Sequence, residues 1–469
     1  MTERRSVHLM GIGGIGVSAL ARIALSRGWH VTGCDRSESP LLARLRAEGA
    51  DIVVGHSADH AERFRPDLLI YTAAVPEAHP ELSSARLAGV EVVGRAEYLG
   101  RLMADHPGPR ISIAGSHGKS TTTGMVTCAL SAAGLDPTCL IGAEYRPISG
   151  NVRIGASGLF VTESCEAYSS FHSLRPDIAV VTSADADHLD HYGNAEAVLA
   201  SFVRFCEGIT QGGKLIFCAD DPSAVEVARR VAASRPDLGQ IAYSAFGALS
   251  DGWAAEDATQ VEGLSTATLV LRSGATALRR VRLNLRVPGE YNIRNALATL
   301  AVADACDADL DAAVEALAAF TGVGRRFELV GEKAGVEVWD DYAHHPTEIA
   351  ALLGGARAWH PGRRLVIVFQ PHLYSRTRDF MQGFAEALAA GDIVIIDRIY
   401  AAREPDTMGV HGSHLVAAIG VVDPDKTVLY ADSDGEAVGY LRRLTRPGDV
   451  VLTVGAGDVD AIGRAFVAP

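Results

Sequence analysis

One short stretch constrains this chain more than any other: Gly115-Ser-His-Gly118-Lys119-Ser120-Thr121, set between the apolar run Ile111-Ser-Ile-Ala114 and an Ala- and Thr-rich helical stretch. A strand that ends in glycine and passes straight into a helix presents backbone N–H groups and the positive end of a helix dipole to an anion, the setting of a phosphate-binding loop. Lys119 offers a charge to terminal phosphates and Ser120 offers a hydroxyl to a hard cation such as Mg²⁺. The loop is shorter than the common GxxxxGK[ST] form, because Ile113 stands where the first glycine would fall.

A second glycine turn, Gly11-Ile-Gly13-Gly14-Ile15-Gly16, lies between the strand pattern VHLM and the helical pattern VSALARIALSRG, with Asp35 closing the next strand. Such a turn lets the backbone approach a pyrophosphate, and a dinucleotide such as NAD, another diphosphate ligand and a turn that serves packing alone all fit it. Around these loops, buried-strand patterns alternate with helical ones in three blocks. The first, 1–108, continues through DIVVG and DLLIYTAAV and ends in the linker-like Asp105-His-Pro-Gly-Pro109. The second, 109–324, carries GLFVTES, IAVVTSA and KLIFCA, then TATLVLRSG and RRVRLNLRVPG, which read as an antiparallel ribbon. The third, 325–469, carries VEVWDDYA, RLVIVFQ, DIVIIDRIY and DVVLTVGAG. The expected class is α/β with mostly parallel sheets.

Composition narrows the function. At 469 residues the chain exceeds the ~250–300 residues at which one core stops growing, so several domains are required. A net charge of -14 opposes nonspecific binding to nucleic acid. No apolar run reaches the ~20 residues of a membrane span, and Met1 to Ser6 leads directly into an apolar strand, so a cytoplasmic protein with no membrane partner is expected. The seven cysteines lack CxxC spacing, which suggests neither a disulfide framework nor a zinc site.

Two later segments end strands with ligand-type side chains: Glu163-Ser-Cys165-Glu166 and Asp185-Ala-Asp187-His188-Leu-Asp190. Ligands gather at the carboxyl ends of parallel strands, so Glu166 and His188 are candidates for Mg²⁺ beside an ATP γ-phosphate. In order along the chain, AGSHGKSTTT, DADHLDHYG, PGEYNIRNALAT, GVGRRFE, DDYAHHPTE, FQPHLYSRTRD and DRIYAARE resemble the motifs of the Mur ligases. The resemblance runs from Gly11 to Asp458 and is strongest to the members that join L-alanine to UDP-N-acetylmuramate in building cell-wall peptidoglycan.

That resemblance implies three domains: an N-terminal Rossmann-like domain for the UDP substrate, a central P-loop-type mononucleotide-binding domain, and a C-terminal Rossmann-like domain that closes on them. It implies that Gly13, Gly14, Ile15 and Gly16 meet the UDP diphosphate, with Asp35, His56 and Thr72 at the nucleotide end. Gly115, Ser116, His117, Gly118, Lys119, Ser120 and Thr121 would hold ATP, and Ser120, Glu166 and His188 would hold Mg²⁺. Asn292 and Asn295 would face adenine, Asp341 the ribose and Arg326 the γ-phosphate. Arg325, His344, His345 and Arg376 would serve the substrate end, Arg376 because its fork matches an amino-acid carboxylate. Lys119, His188, Arg326, His344 and Arg376 would take part in the chemistry. The expected enzyme is a monomer or weak homodimer that activates a carboxylate as an acyl phosphate and passes it to an amine.

The chain departs from the common family pattern at Tyr168, Ser183, Tyr291 and Leu373. Those departures leave open a paralogue that joins another carboxylate and amine, in a specialised metabolite or in cell-wall recycling.

Overall fold

The computed structural model describes residues 5–185, 187, 189–261, 263–402, 404–406 and 409–468. It packs as two compact units, one of residues 1–256, 269–281 and 294–317, the other of residues 257–268, 282–293 and 318–469.

The first unit begins with a five-stranded sheet in the order Asp51–Val54, His30–Asp35, Ser6–Met10, Leu68–Tyr71, Glu91–Gly94. Each neighbouring pair is parallel. Strand order reverses on either side of Ser6–Met10, so the crevice where ligands collect opens at the end of that strand, where the Gly11 turn begins. Alternation sets the two faces of the strand. Val7 and Leu9 join a core with Leu20 and Ile23 of the helix Ile15–Ser26, while Met10 packs with Leu69 and Leu82 on the other face.

The chain then enters a second sheet through Asp105–Pro109, which reads in sequence as a loose linker. It is packed instead. A methyl group at Gly108 would lie 2.2 Å from the Gly158 carbonyl, and His106 Nδ1 lies 2.8 Å from that same oxygen. The central strands of this sheet run Ile178–Val181, Arg110–Ala114, Phe160–Glu163, Thr138–Tyr145, all parallel to their neighbours. Ile111, Ile113, Val161, Ala179, Val180 and Val181 are fully buried. Each such isoleucine or valine side chain stabilises the fold by ~1.5–3 kcal/mol, which makes this centre a rigid base for the loop that follows Ala114. Lys119–Ala132 is the helix leaving that loop. The expected ribbon is present as Leu264–Ser273 and Thr276–Leu285, neighbours joined by two residues, a link too short for any but an antiparallel return.

The second unit carries a six-stranded sheet in the order Glu328–Lys333, Val336–Asp341, Val450–Val454, Leu365–Phe369, Ile393–Ile396, Thr427–Tyr430. Its first pair is antiparallel and the rest are parallel. Helices Pro346–Trp359, Met381–Leu388 and Gly412–Val422 cover one face, and Asp434–Leu444 and Asp460–Val467 the other. Among the described residues, no helix is long and apolar enough to cross a membrane, and all seven cysteines are free.

Candidate functional site

The loop after Ala114 needs glycine twice. Gly115 has φ +145°, and a methyl group there would lie 1.9 Å from Thr182 Oγ1. Gly118 has φ +80°, caps the helix Lys119–Ala132, and would press a methyl group to 2.7 Å from Asn295 Oδ1. Both conformations are strained for any side-chain-bearing residue. The neighbouring strand end holds the loop in shape. Ser116 N donates to Ser183 O (3.1 Å), His117 N donates to Ser183 Oγ (3.0 Å), and Thr182 Oγ1 donates to Ala114 O (3.2 Å). Ser116 Oγ donates to Asp185 O, and His117 Nε2 lies 3.1 Å from Asp185 Oδ2. Thr182 and Ser183 are thus parts of the loop that the sequence reading did not assign, and their place at the end of the adjacent strand was the available signal.

Lys119 crosses the loop from within. Its ammonium donates to Gly115 O and Ser116 O and sits 3.0 and 2.9 Å from the two carboxylate oxygens of Glu166. Burial, the largest single influence, would lower this ammonium, but the charge and hydrogen bond of Glu166, with the neighbouring Cys165 and Glu163, together hold it above its ordinary value. Glu166 is 2% exposed and Ser120 is 4% exposed. Two and three residues beyond Glu166, Tyr168 and Ser169 both take φ +54°, a kink inside the short helical segment Ala167–Ser173. Burial pushes the neighbouring Cys165 thiol up to about 11, with Glu166 adding to the effect, so it is no thiolate at neutral pH. Thr122 Oγ1 donates to Asn295 Oδ1 (3.1 Å), which ties Asn295 to the loop helix. Thr121 is buried on the same helix. The Asn292 amide donates to Pro288 O (2.6 Å). His188 lies outside the described residues.

For the metal expected here, the donors that are described fit a hard cation: a hydroxyl at Ser120 and a buried carboxylate at Glu166, the latter balanced at present by Lys119.

The N-terminal glycine turn uses a carboxylate where the central loop uses a lysine. Gly13 N donates to Asp35 Oδ2 (2.8 Å) and Arg36 N donates to Asp35 Oδ1 (2.7 Å). Gly14 N closes the turn on Gly11 O, and the helix starts at Ile15. The Thr72 methyl packs against Gly11, and a methyl group at Gly16 would meet Arg95 Nη1 at 3.0 Å. Arg95, a cation set over the helix start, was not singled out in the sequence. His56 Nδ1 lies 3.1 Å from Cys34 Sγ.

In the second unit, Arg325 is a structural fork. It takes φ +57°, pairs with Asp340 (3.0 Å), and donates to Gly457 O (2.8 Å) and Gly455 O (2.7 Å). Asp340 is fully buried. Arg325 and Arg326 both lie over the Tyr342 ring, at 5.1 and 5.2 Å. Asp341 accepts from Phe327 N and Ala343 N, both at 2.8 Å, and burial lifts its carboxyl to about 6 against the opposing pull of Arg326. His344 Nδ1 lies 3.0 Å from Tyr342 O, and its ring meets that of His372 edge-on. His345 caps the helix Pro346–Trp359 in a reciprocal box with Glu348. Arg376 lies on the helix Tyr374–Asp379, whose first cap, Leu373, is buried at φ +69°. A leucine in that conformation is strained, so the departure at Leu373 has a backbone consequence.

These features define a class: an α/β protein with one glycine loop armed with a lysine and a second, lysine-free glycine turn, each at the carboxyl end of a parallel sheet. The chain belongs to the Mur ligase family. Three models match in succession: the Mur ligase family catalytic domain over residues 6–107, the Mur ligase middle domain over 113–303, and the Mur ligase glutamate ligase domain over 325–457. The chain is similar to UDP-N-acetylmuramate--L-alanine ligase of Mycobacterium sp. (strain JLS), at 41% identity over 99% of this chain and 95% of the relative. It is also similar to the enzyme of that name from Saccharopolyspora erythraea, at 42% identity over 98% and 92%. Among solved structures, UDP-N-acetylmuramate-alanine ligase MurC of Thermotoga maritima superposes with a TM-score of 0.82 at 29% identity, covering 98% of both chains.

Proposed function

We propose that this chain joins L-alanine to the carboxylate of UDP-N-acetylmuramate with ATP, through an acyl phosphate, as a step in peptidoglycan precursor synthesis in the cytoplasm. The observation that carries the reading is the loop Gly115–Thr121, with the Lys119 ammonium held between loop carbonyls and Glu166. Identity of about 41% over nearly the whole chain to ligases of that name supports the choice of substrates.

The chemistry asks little covalent work of the protein. A carboxylate does not release oxide at neutral pH, so its oxygen attacks the γ-phosphorus of ATP and ADP leaves. The amine of L-alanine then adds to the acyl carbon, and phosphate leaves from the tetrahedral adduct. Lys119 exchanges carbonyl and carboxylate partners for phosphate oxygens and neutralises charge as it spreads over the transferring group. Ser120 and Glu166, with His188 as the third expected ligand, would hold Mg²⁺, which would further neutralise that charge. Ile15 and Gly16 offer backbone N–H groups at the helix start to the UDP diphosphate, Gly13 and Gly14, whose own N–H groups close the turn, let it approach the backbone closely, and Arg95 adds a cation there. Asp35, His56 and Thr72 complete the nucleotide end. Asn292, Asn295 and Asp341 serve the adenosine, Arg326 offers charge to the γ-phosphate, and Arg325 braces the backbone beside it. His344, His345 and Arg376 orient the amino acid, the guanidinium pairing both carboxylate oxygens.

The purified protein is to be assayed for phosphate release and, by mass, for amide with UDP-N-acetylmuramate and each of L-alanine, glycine and L-serine. UDP-N-acetylmuramoyl-L-alanine forming in step with phosphate is the expected result. ATP binding with no amide from any of the three would overturn the substrate assignment and leave the phosphate loop standing.

A further inference from the structure

Beneath the N-terminal sheet, on the face away from the helix Ile15–Ser26, four side chains from four elements converge: His8 from the strand Ser6–Met10, Cys34 from His30–Asp35, His60 from the helix His60–Phe64 and Glu81 from the helix Pro80–Leu87. Their ligand atoms all lie within 4.8 Å of one another. His8, Cys34, His60 and Glu81 are 1, 0, 5 and 0% exposed. One carboxylate oxygen, Glu81 Oε1, lies at the point of convergence, 3.1 Å from His8 Nε2, 3.0 Å from His60 Nδ1 and 3.2 Å from Cys34 Sγ. Among the described residues the other, Oε2, is buried with no hydrogen-bond donor, and His56 Nδ1 lies 3.6 Å from it.

Charge makes this cluster unusual. Among the described residues no lysine or arginine pairs with Glu81, whose ion-pair partners are His8, His56 and His60. The hydrogen bonds of these imidazoles and the thiol favour the Glu81 carboxylate against its burial, but they bring no permanent counter-charge of the kind a lysine, an arginine or a metal ion supplies. A divalent cation bound by one carboxylate, one thiolate and two neutral imidazoles gives a site of zero net charge. The donor set of one sulfur, two nitrogens and one oxygen selects a borderline ion of the zinc type over Mg²⁺ or Ca²⁺, which favour sites dominated by oxygen and do not take thiolate. An outer partner is in place as well: His8 Nδ1 lies 2.8 Å from Thr32 Oγ1, which donates to Val7 O, the arrangement that fixes the orientation of a ligating imidazole.

We propose that His8, Cys34, His60 and Glu81 form a structural site for a zinc-class divalent ion, distinct from the Mg²⁺ of the reaction. The ion takes the place where Oε1 now stands, with Glu81 drawing back. Zn–N distances of ~2.0–2.1 Å and Zn–S of ~2.3 Å then require the other donors to close in by about an ångström. Binding forms four ligand bonds, releases the Cys34 thiol proton to solvent and changes no oxidation state. The ion cross-links two strands and two helices that meet within hydrogen-bond reach of His56. No ligand spacing in the sequence announces the site, because its members are scattered from residue 8 to residue 81 and only the parallel fold brings them together.

The test uses the full chain, dialysed against chelator and titrated with Co²⁺. About one cobalt per chain is expected, with a thiolate-to-cobalt charge-transfer band and a raised Tm. Cys34→Ser abolishes the band, and His60→Gln weakens binding by ~10-fold or more while keeping the band at high cobalt. Circular dichroism confirms that each variant is folded, and His60→Gln decides the matter should Cys34→Ser fail that check. Failure to bind cobalt in the wild type, or a band that survives Cys34→Ser, or binding unchanged in His60→Gln, overturns the proposal. An imidazolium would then be what balances Glu81. None of these readouts depends on ligase activity.

Discussion

The two glycine loops of the first unit share a backbone plan and differ in what their neighbouring strands supply. Both leave a parallel strand, turn through glycine and open a helix whose first N–H groups are free to meet an anion. At Gly115–Thr121 a lysine lies inside the loop, with a buried carboxylate from the next strand to hold it until phosphate arrives. At Gly11–Gly16 the turn is fixed by Asp35 on Gly13 N and by Cys34 O on the N–H of Gly11 and Ile12, and the cation, Arg95, comes from outside the loop. On the proposed reading, the same local geometry serves one site that moves a phosphoryl group and one that holds a diphosphate that does not react. What distinguishes them is the side chain brought by the adjacent strand and helix, not the glycines.

Lys119→Ala is expected to give the largest effect, a loss of ~10²–10³-fold in kcat. ADP and phosphate release against that of wild type checks it, and a variant with full turnover would erase the distinction between the loops. Next in size, Gly115→Ala costs ~1–3 kcal/mol of stability, because φ +145° and Thr182 leave no room for a methyl group. Gly13→Ala costs less, ~1 kcal/mol, since its φ is not in the left-handed region and a methyl group there meets side-chain atoms, Asp35 Oδ2 at 2.8 Å and Leu42 Cδ2 at 3.2 Å, rather than backbone. Urea unfolding of the two variants side by side tests that order. Asp35→Ala is expected to raise KM for UDP-N-acetylmuramate about tenfold and leave kcat within about twofold, an effect worth ~1.4 kcal/mol of binding. A fall in kcat instead would give Asp35 a part in the reacting site. The smallest effect is one of pH. Glu166 keeps the Lys119 ammonium above its ordinary value, so deprotonation of this lysine begins only above the usual lysine range near ~10.4. ATP affinity should then stay level from about pH 7.5 to about pH 9.5. A decline centred inside that window would mean that Glu166 does not support the charge.

Much of this was legible in the sequence because parallel strands buried on both faces leave continuous apolar runs, as at Ile178–Val181, Leu365–Phe369 and Ile393–Ile396. Glu91–Gly94, Gly150–Arg153, Glu328–Lys333 and Thr427–Tyr430 were not read as strands, and each lies at a sheet edge, where one side needs no neighbour and polar residues are tolerated. Thr138–Tyr145, Gly239–Ser244 and Gly252–Val261 were missed as well although they are interior, because small and polar residues interrupt their apolar runs. The glycine loops announced themselves, since positive φ leaves a mark in composition. Arg325 did not reveal its work as a brace for Asp340, Gly455 and Gly457, because its partners are far away in sequence. Thr182 and Ser183 were visible only as the end of a strand, and their bonds to the loop come from strand order, which no local pattern encodes.

The central claim is that the lysine loop takes ATP and the glycine turn takes the UDP substrate, and calorimetric titration of each ligand separately into wild type, Lys119→Ala and Asp35→Ala tests it most directly. ATP affinity falling by about tenfold or more only in Lys119→Ala, and UDP-N-acetylmuramate affinity falling only in Asp35→Ala, is the predicted crossover. Loss of UDP-N-acetylmuramate binding on removal of Lys119, with ATP binding unchanged, would contradict it.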